Sequence, residues 1–111
     1  MYKIIVCDLD ETLISRDRTI SRENIEAIRK ATEAGVKFVP CTGRGYNSVH
    51  HTTAQLGLFD QKDQYVISYN GGAITENKDE RQLYFQGITF EEAEAIYKRG
   101  LTYDHICIHI Y

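Results

Sequence analysis

Ile4-Ile5-Val6-Cys7-Asp8-Leu9-Asp10-Glu11-Thr12-Leu13 is the stretch on which the fold turns: an apolar, β-branched run delivers two aspartates and then a threonine. In an extended strand residues i and i+2 project to the same side, so Asp8 and Asp10 are held together where the strand ends. A bare Asp-x-Asp also occurs in solvated turns and calcium loops. Here no glycine and glutamate follow at EF-hand spacing, and the pair closes a run with the composition of a buried strand.

The arrangement repeats downstream. Phe38 and Val39 run through Pro40 and Cys41 into Thr42, Gly43 and Arg44, and a further strand, Tyr65 to Tyr69, ends in Asn70, Gly71 and Gly72. Each strand ends in small or polar groups able to hold an anion. In open α/β sheets ligands sit outside the carboxyl ends of the strands, so the ends are expected to form one site.

With these residues in view, the chain resembles the haloacid dehalogenase superfamily of phosphatases, in its Cof-type, sugar-phosphatase-like branch. The matching pieces are Asp8-Leu9-Asp10-Glu11-Thr12-Leu13, Ile20-Ser21 opening a helix, Cys41-Thr42-Gly43-Arg44 and Ser68-Tyr69-Asn70-Gly71-Gly72, in the family's order and spacing. The resemblance implies a Rossmann-like α/β parallel sheet, the N-terminal half of such a core, over residues 1–71. Residues 72–111 would begin an α+β cap.

The resemblance also implies roles. Asp8 would be the nucleophile that forms an aspartyl phosphate, and Asp10 the general acid and base. Thr42, with the backbone N–H groups of Leu9, Asp10 and Gly43, would cradle the phosphoryl oxygens. Mg²⁺ would take the Asp8 carboxylate and the Asp10 carbonyl, offsetting the repulsion between Asp8 and a phosphate. Arg44 reads equally as a salt bridge fixing its loop or as a phosphate or substrate contact. Asn70 reads as a turn residue, since Asn-Gly favours turns, while the resemblance gives it a place lining the site.

Two pieces of the family pattern have no counterpart in residues 73–111: a lysine that steadies the aspartyl phosphate and a Gly-Asp-x-x-x-Asp-like acidic motif. The chain is therefore expected to be incomplete and weakly active or inactive alone. The alternative expectation is a non-catalytic half-protein that associates with itself, as a homodimer, or with a C-terminal half, and binds phosphate only.

The 111 residues, 42% hydrophobic, suffice for one globular domain burying roughly two-thirds of its unfolded surface. The continuous apolar runs at Ile4–Val6 and Tyr65–Ile67 suggest strands covered on both faces. Right-handed crossovers, however, put both available helices on one face and leave the other without a cover. Three helices are legible: one capped by Ser21, carrying Ile25, Ile28 and Ala31 and stopping at Gly35; one after Arg44 or Gly45 that ends at Gly57; and one with a Thr89/Glu92 capping box that runs to Gly100. A hairpin is expected at 73–75 and 82–85, turning at 77–80. The alternation of Ile106, Ile108 and Ile110 predicts a last strand over 105–111.

His50 and His51 are adjacent and make no i, i+4 metal pair. Cys7, Cys41 and Cys107 have no zinc spacing and read as small core residues of a reducing compartment. A net charge of −3 without a basic stripe argues against nucleic acid. No segment reads as a membrane span. The expected setting is cytoplasmic, and the expected partner a small phosphorylated metabolite.

Overall fold

The computed structural model describes residues 2–110. β1 (Ile4–Asp8), β2 (Lys37–Cys41) and β3 (Tyr65–Ser68) lie side by side and parallel, and β4 (Ala73–Glu76) and β5 (Arg81–Phe85) continue the same sheet antiparallel. The result is a mixed sheet of five strands. α1 (Arg22–Glu33) joins β1 to β2, and a 3₁₀ turn (Tyr46–Val49) leading into α2 (His50–Gln55) joins β2 to β3. α3 (Phe90–Gly100) follows β5.

The elements follow from local chemistry. The Ser21 hydroxyl accepts the Asn24 N–H at 3.2 Å, satisfying one of the orphan donors of α1. Glu23 in the first turn and Lys30 in the last complement the helix dipole. At Gly35, φ of +87° is the left-handed conformation in which glycine ends helices at little cost. Both halves of the α3 capping box form: the Thr89 N–H donates to Glu92 at 2.8 Å, and the Glu92 N–H to the Thr89 hydroxyl at 3.2 Å. Pro40 stands inside a central strand, where prolines are normally excluded. The missing N–H is tolerated because β2 and β3 share a single registered pair, Cys41 with Ile67.

Leu9, Leu13, Ile14, Ile28, Phe38, Tyr46, Val49, Leu56, Leu58 and Val66 form one buried cluster. It joins β2 and β3 to α1, α2 and the loop after β1, so the residues following the Asp8 strand are built into the core.

Three expectations are corrected. β1 is not covered on both faces: Ile4, Ile5 and Val6 are 54%, 41% and 56% exposed. It is the edge strand of the sheet, and its apolar composition exceeds what the elements beside it bury. Residues 106–110 are not a strand. Alternation fixes which way side chains would point, but a strand needs a neighbour to pair with. Instead the Ile108 side chain reaches back to Gly100 and fills the space a β-carbon would take there. Cys107 is accordingly exposed rather than a core residue, while Cys7 and Cys41 are half-buried in their strands. Tyr111 lies outside the described residues. Among those residues, no helix is long and apolar enough to cross a membrane.

Candidate active site

The parallel register places the functional residues. Asp8, the last residue of β1, lies opposite Cys41, the last of β2, and Cys41 lies opposite Ile67. Asp8 and the segments 42–44 and 69–72 therefore emerge from one end of the sheet.

After Asp8 the chain turns sharply. The N–H groups of Thr12 and Ile14 both donate to the Leu9 carbonyl, at 3.3 and 2.8 Å, and Glu11 adopts φ of +57°. This turn plugs the Leu9 side chain, 0% exposed, into the core while Asp8 and Asp10 stay on the accessible side. Leu9 thus offers the site only its backbone. The Thr12 hydroxyl donates to Asp8 Oδ2 at 2.7 Å, which orients the carboxylate. The Cys7 thiol donates to the Asp8 carbonyl at 3.2 Å, and burial, with the nearby Asp8 charge, pushes the thiol above its ordinary value.

Arg44 grips Asp10. Its Nε donates to Asp10 Oδ2 at 2.9 Å and its Nη2 to Asp10 Oδ1, a fork matched to the planar carboxylate. The salt-bridge reading of Arg44 describes its position in this structure. The pair is open to solvent, the side chains being 37% and 51% exposed.

Backbone hydrogen bonds tie the second and third strand ends together. The Thr42 N–H donates to the Ile67 carbonyl at 3.0 Å, the Asn70 N–H to the Thr42 carbonyl at 3.1 Å, and the Tyr69 N–H to the Arg44 carbonyl at 3.0 Å. Thr42 is buried, and its hydroxyl accepts the Arg44 N–H at 3.1 Å. Asn70 sits at φ of +54°, a left-handed conformation that asparagine tolerates better than most residues. Its side chain also packs on Gly43, where a β-carbon would stand 3.0 Å from Asn70 Oδ1. The turn and site placements of Asn70 are therefore compatible. The structure brings Asp8, Asp10, Thr42, Gly43, Arg44 and Asn70 to one end of the sheet.

Two neighbours gain a role only from the structure. Thr12 is one, although a hydroxyl four residues after an aspartate in a tight turn is a usable signal. Tyr69 is the other: a β-carbon on Gly45 would stand 2.6 Å from its hydroxyl oxygen. That close approach explains the glycine beside Arg44. His50 serves packing, lying edge-on against Tyr46 and Phe59, with its Nε2 3.3 Å from Glu80.

Among the described residues, no group of three or more histidines, cysteines, aspartates or glutamates is placed to hold a metal ion. The Asp8 carboxylate and the Asp10 carbonyl are hard oxygen donors of the kind Mg²⁺ takes, and Mg²⁺ commonly binds through one or two carboxylates with waters and substrate oxygens. The donors fit the ion in kind but supply only part of its coordination.

Asp8 ends one parallel strand with Asp10 just beyond it, and a Thr-Gly-Arg turn and an Asn-Gly-Gly turn follow the next two, so the polar groups gather at the carboxyl ends of the strands of an α/β sheet. Residues 5–111 match the family model for haloacid dehalogenase-like hydrolases, and the chain belongs to that family. It is 42% identical over 72 residues to the 5-amino-6-(5-phospho-D-ribitylamino)uracil phosphatase YwtE of Bacillus subtilis (strain 168), covering 65% of this chain and 23% of that protein. A crystal structure of a haloacid dehalogenase-like hydrolase from Bacteroides thetaiotaomicron superposes with a TM-score of 0.79 at 28% identity, over 92% of this chain and 38% of that one. A subclass IIB sugar phosphatase of the same superfamily gives 0.73 at 27% identity, over 90% and 37%. The chain spans between about a quarter and two-fifths of the length of these relatives.

Proposed function

We propose that this chain carries the nucleophile half of a phosphatase acting on small phosphorylated metabolites such as sugar phosphates or nucleotides. The observation that carries the reading is the Asp8–Asp10 pair, held at the mouth of the parallel sheet by a buried Leu9 between two solvent-facing carboxylates.

In this reading an Asp8 carboxylate oxygen attacks phosphorus and the bond to the leaving oxygen breaks, with Asp10 supplying that oxygen with a proton. Water then attacks the aspartyl phosphate, Asp10 takes the proton, and inorganic phosphate leaves with the Asp8 carboxylate restored. Such proton transfer contributes about 10²–10⁴-fold. Thr12 keeps one Asp8 oxygen occupied, so the other is the attacking atom. The backbone N–H groups of Leu9, Asp10 and Gly43 and the Thr42 hydroxyl receive the phosphoryl oxygens. Arg44 must loosen its hold on Asp10 for proton transfer, and its guanidinium is then free to meet the phosphate. Mg²⁺, held by the Asp8 carboxylate and the Asp10 carbonyl, would neutralise charge shared by Asp8 and the phosphate. Residues 1–71 would form the core and 72–111 the start of the cap, with a cytoplasmic setting.

Phosphate release from a generic aryl phosphate, with magnesium and beside Asp8→Asn, tests the reading. Turnover above that of Asp8→Asn supports the assignment of Asp8, and background release by both proteins fits a nucleophile half that is weakly active or inactive alone. Release well above background that is equal in both proteins overturns the assignment of Asp8.

The half-exposed Ile4, Ile5 and Val6 of the edge strand favour a second reading. An open, apolar edge recruits another chain. The protein would then associate with a second copy or a C-terminal half and bind phosphate without turning it over. Light scattering that finds a monomer at micromolar concentration counts against self-association.

A further inference from the structure

A cavity of about 210 Å³ lies between the loop that follows Asp10 and the helical segment that follows Arg44. Exposed Arg18, Ser48, His51 and Gln55, half-buried Arg44 and buried Thr52 are its polar lining, Ile14 is among its apolar residues, and no aspartate or glutamate lines it. Among the described residues every other arginine has a partner. Arg16 pairs with Glu11, Arg22 with Glu26, Arg29 with Glu33, Arg44 with Asp10 and Arg81 with Glu76, and Arg99 lies over the Tyr103 ring. Among those same residues the side chain of Arg18 makes no hydrogen bond, ion pair or ring contact, and neither does that of His51.

An unpaired guanidinium beside a second one, over a wall without carboxylates, is a setting for an oxyanion. Arginine presents five donors in a fork that matches phosphate and carboxylate geometry. Arg44 commits only its Nε and Nη2 to Asp10, so it retains donors for the cavity. The Ser48 hydroxyl and Gln55 amide add uncharged partners. The buried Ile14 and Thr52 give the lining fixed support. The volume lies below the roughly 300–1,000 Å³ typical of whole-ligand pockets, so an ionic group fits rather than an entire metabolite.

We propose that this cavity is a second oxyanion subsite, which binds a phosphoryl group beside the one presented to Asp8. It deepens the phosphatase reading and, as to its source in a substrate, rests on it. The preferred substrates are then phosphoesters that carry a second phosphoryl group near the scissile one. Free inorganic phosphate is the other source of the same chemistry. Arg44, which borders both the cavity and Asp10, couples the two positions.

The test is a metal-free NMR titration of the 111-residue chain with inorganic phosphate and with pyrophosphate, where Asp8 and Asp10 repel an anion from the first position. Amide shifts centred on Arg18, Ser48, His51 and Gln55, weakened at least about tenfold in Arg18→Gln, support the subsite. Tighter binding of pyrophosphate than of phosphate points to a substrate-borne group, and equal binding to free phosphate. Shifts confined to Gly43 and Asn70, or an affinity unchanged in both Arg18→Gln and His51→Gln, overturn the proposal. Because this titration involves no turnover, the two readings fail separately: aryl-phosphate release above background that Asp8→Asn leaves unchanged refutes the phosphatase reading, while binding in the cavity still leaves the subsite standing.

Discussion

Leu9→Ala tests whether the aspartate pair is positioned by the core. Leu9 is 0% exposed and belongs to the buried cluster, while its two flanking aspartates face solvent. The substitution removes three carbons, worth about 2.4 kcal/mol at about 0.8 kcal/mol per buried methylene. The residual cavity adds to that, and buried Leu→Ala changes elsewhere cost about 2.7–5.0 kcal/mol. A native domain holds about 0.05–0.15 kcal/mol per residue, so the loss is a large share of the total stability. The expected fall in Tm is at least about 10 °C. Thermal and urea unfolding followed by far-UV circular dichroism measure it, with Leu83→Ala as the control. Leu83 is 46% exposed on β5, and its truncation should cost under about 1 kcal/mol. A Leu9→Ala loss below about 1 kcal/mol, or one no greater than the control's, would refute the claim that this side chain anchors the site.

Further outcomes follow from the same geometry. Glu76 is buried, and the Asp63 N–H, followed by Arg81, holds its carboxyl below the ordinary value of 4.5. Its contribution to stability is therefore full above that value and fades as pH falls through the lower folded value. Urea midpoints taken down this window should decline more steeply in the wild type than in Glu76→Gln; parallel declines would sink the idea. Arg44→Lys keeps the charge but loses the fork, and kcat/KM toward an aryl phosphate should drop about tenfold. An unchanged value would mean that the fork serves no purpose in turnover. Gly57 sits at φ of +72° with open space where a methyl group would point, so Gly57→Ala should cost about 1–2 kcal/mol from backbone strain alone. A stabilised variant in thermal melts would contradict that conformation.

The parts legible in the sequence carry their signals locally. Ser21, Gly35 and the Thr89/Glu92 box mark helix ends because each satisfies backbone groups within a few residues. The strand ends at Asp8 and Cys41 could be read because apolar runs stop there, and the third, read to Tyr69, ends one residue earlier at Ser68. What escaped depends on distant partners. The Arg44–Asp10 fork spans 34 residues, and nothing in either segment states that the guanidinium would close on that carboxylate. Residues 106–110 show the converse. Their alternation is a strand pattern, yet pairing is a property of two segments, and among the described residues no second segment pairs with them. The exposure of β1 has the same origin, since an apolar strand specifies that it can be covered and not by what.

The site's frame and its chemistry are separable for a physical reason. Thr42 N–H to Ile67, Asn70 N–H to Thr42 and Tyr69 N–H to Arg44 are backbone bonds, so they survive most side-chain substitutions at these positions. The groups that would touch a phosphate, the Thr42 hydroxyl, the Arg44 guanidinium and the Asn70 amide, hang from that frame. Thr42→Val should therefore remove one hydroxyl donor while leaving the strand ends in register. Glycine is different. A β-carbon at Gly45 would meet the Tyr69 hydroxyl at 2.6 Å, so Gly45→Ala has to displace the Tyr69 ring, which belongs to the neighbouring turn. Comparing phosphate-induced amide shifts in the two variants separates loss of a ligand from loss of the scaffold. Thr42→Val should perturb shifts near residue 42 alone, whereas Gly45→Ala should disturb both turns at once, because the Tyr69–Arg44 bond joins them.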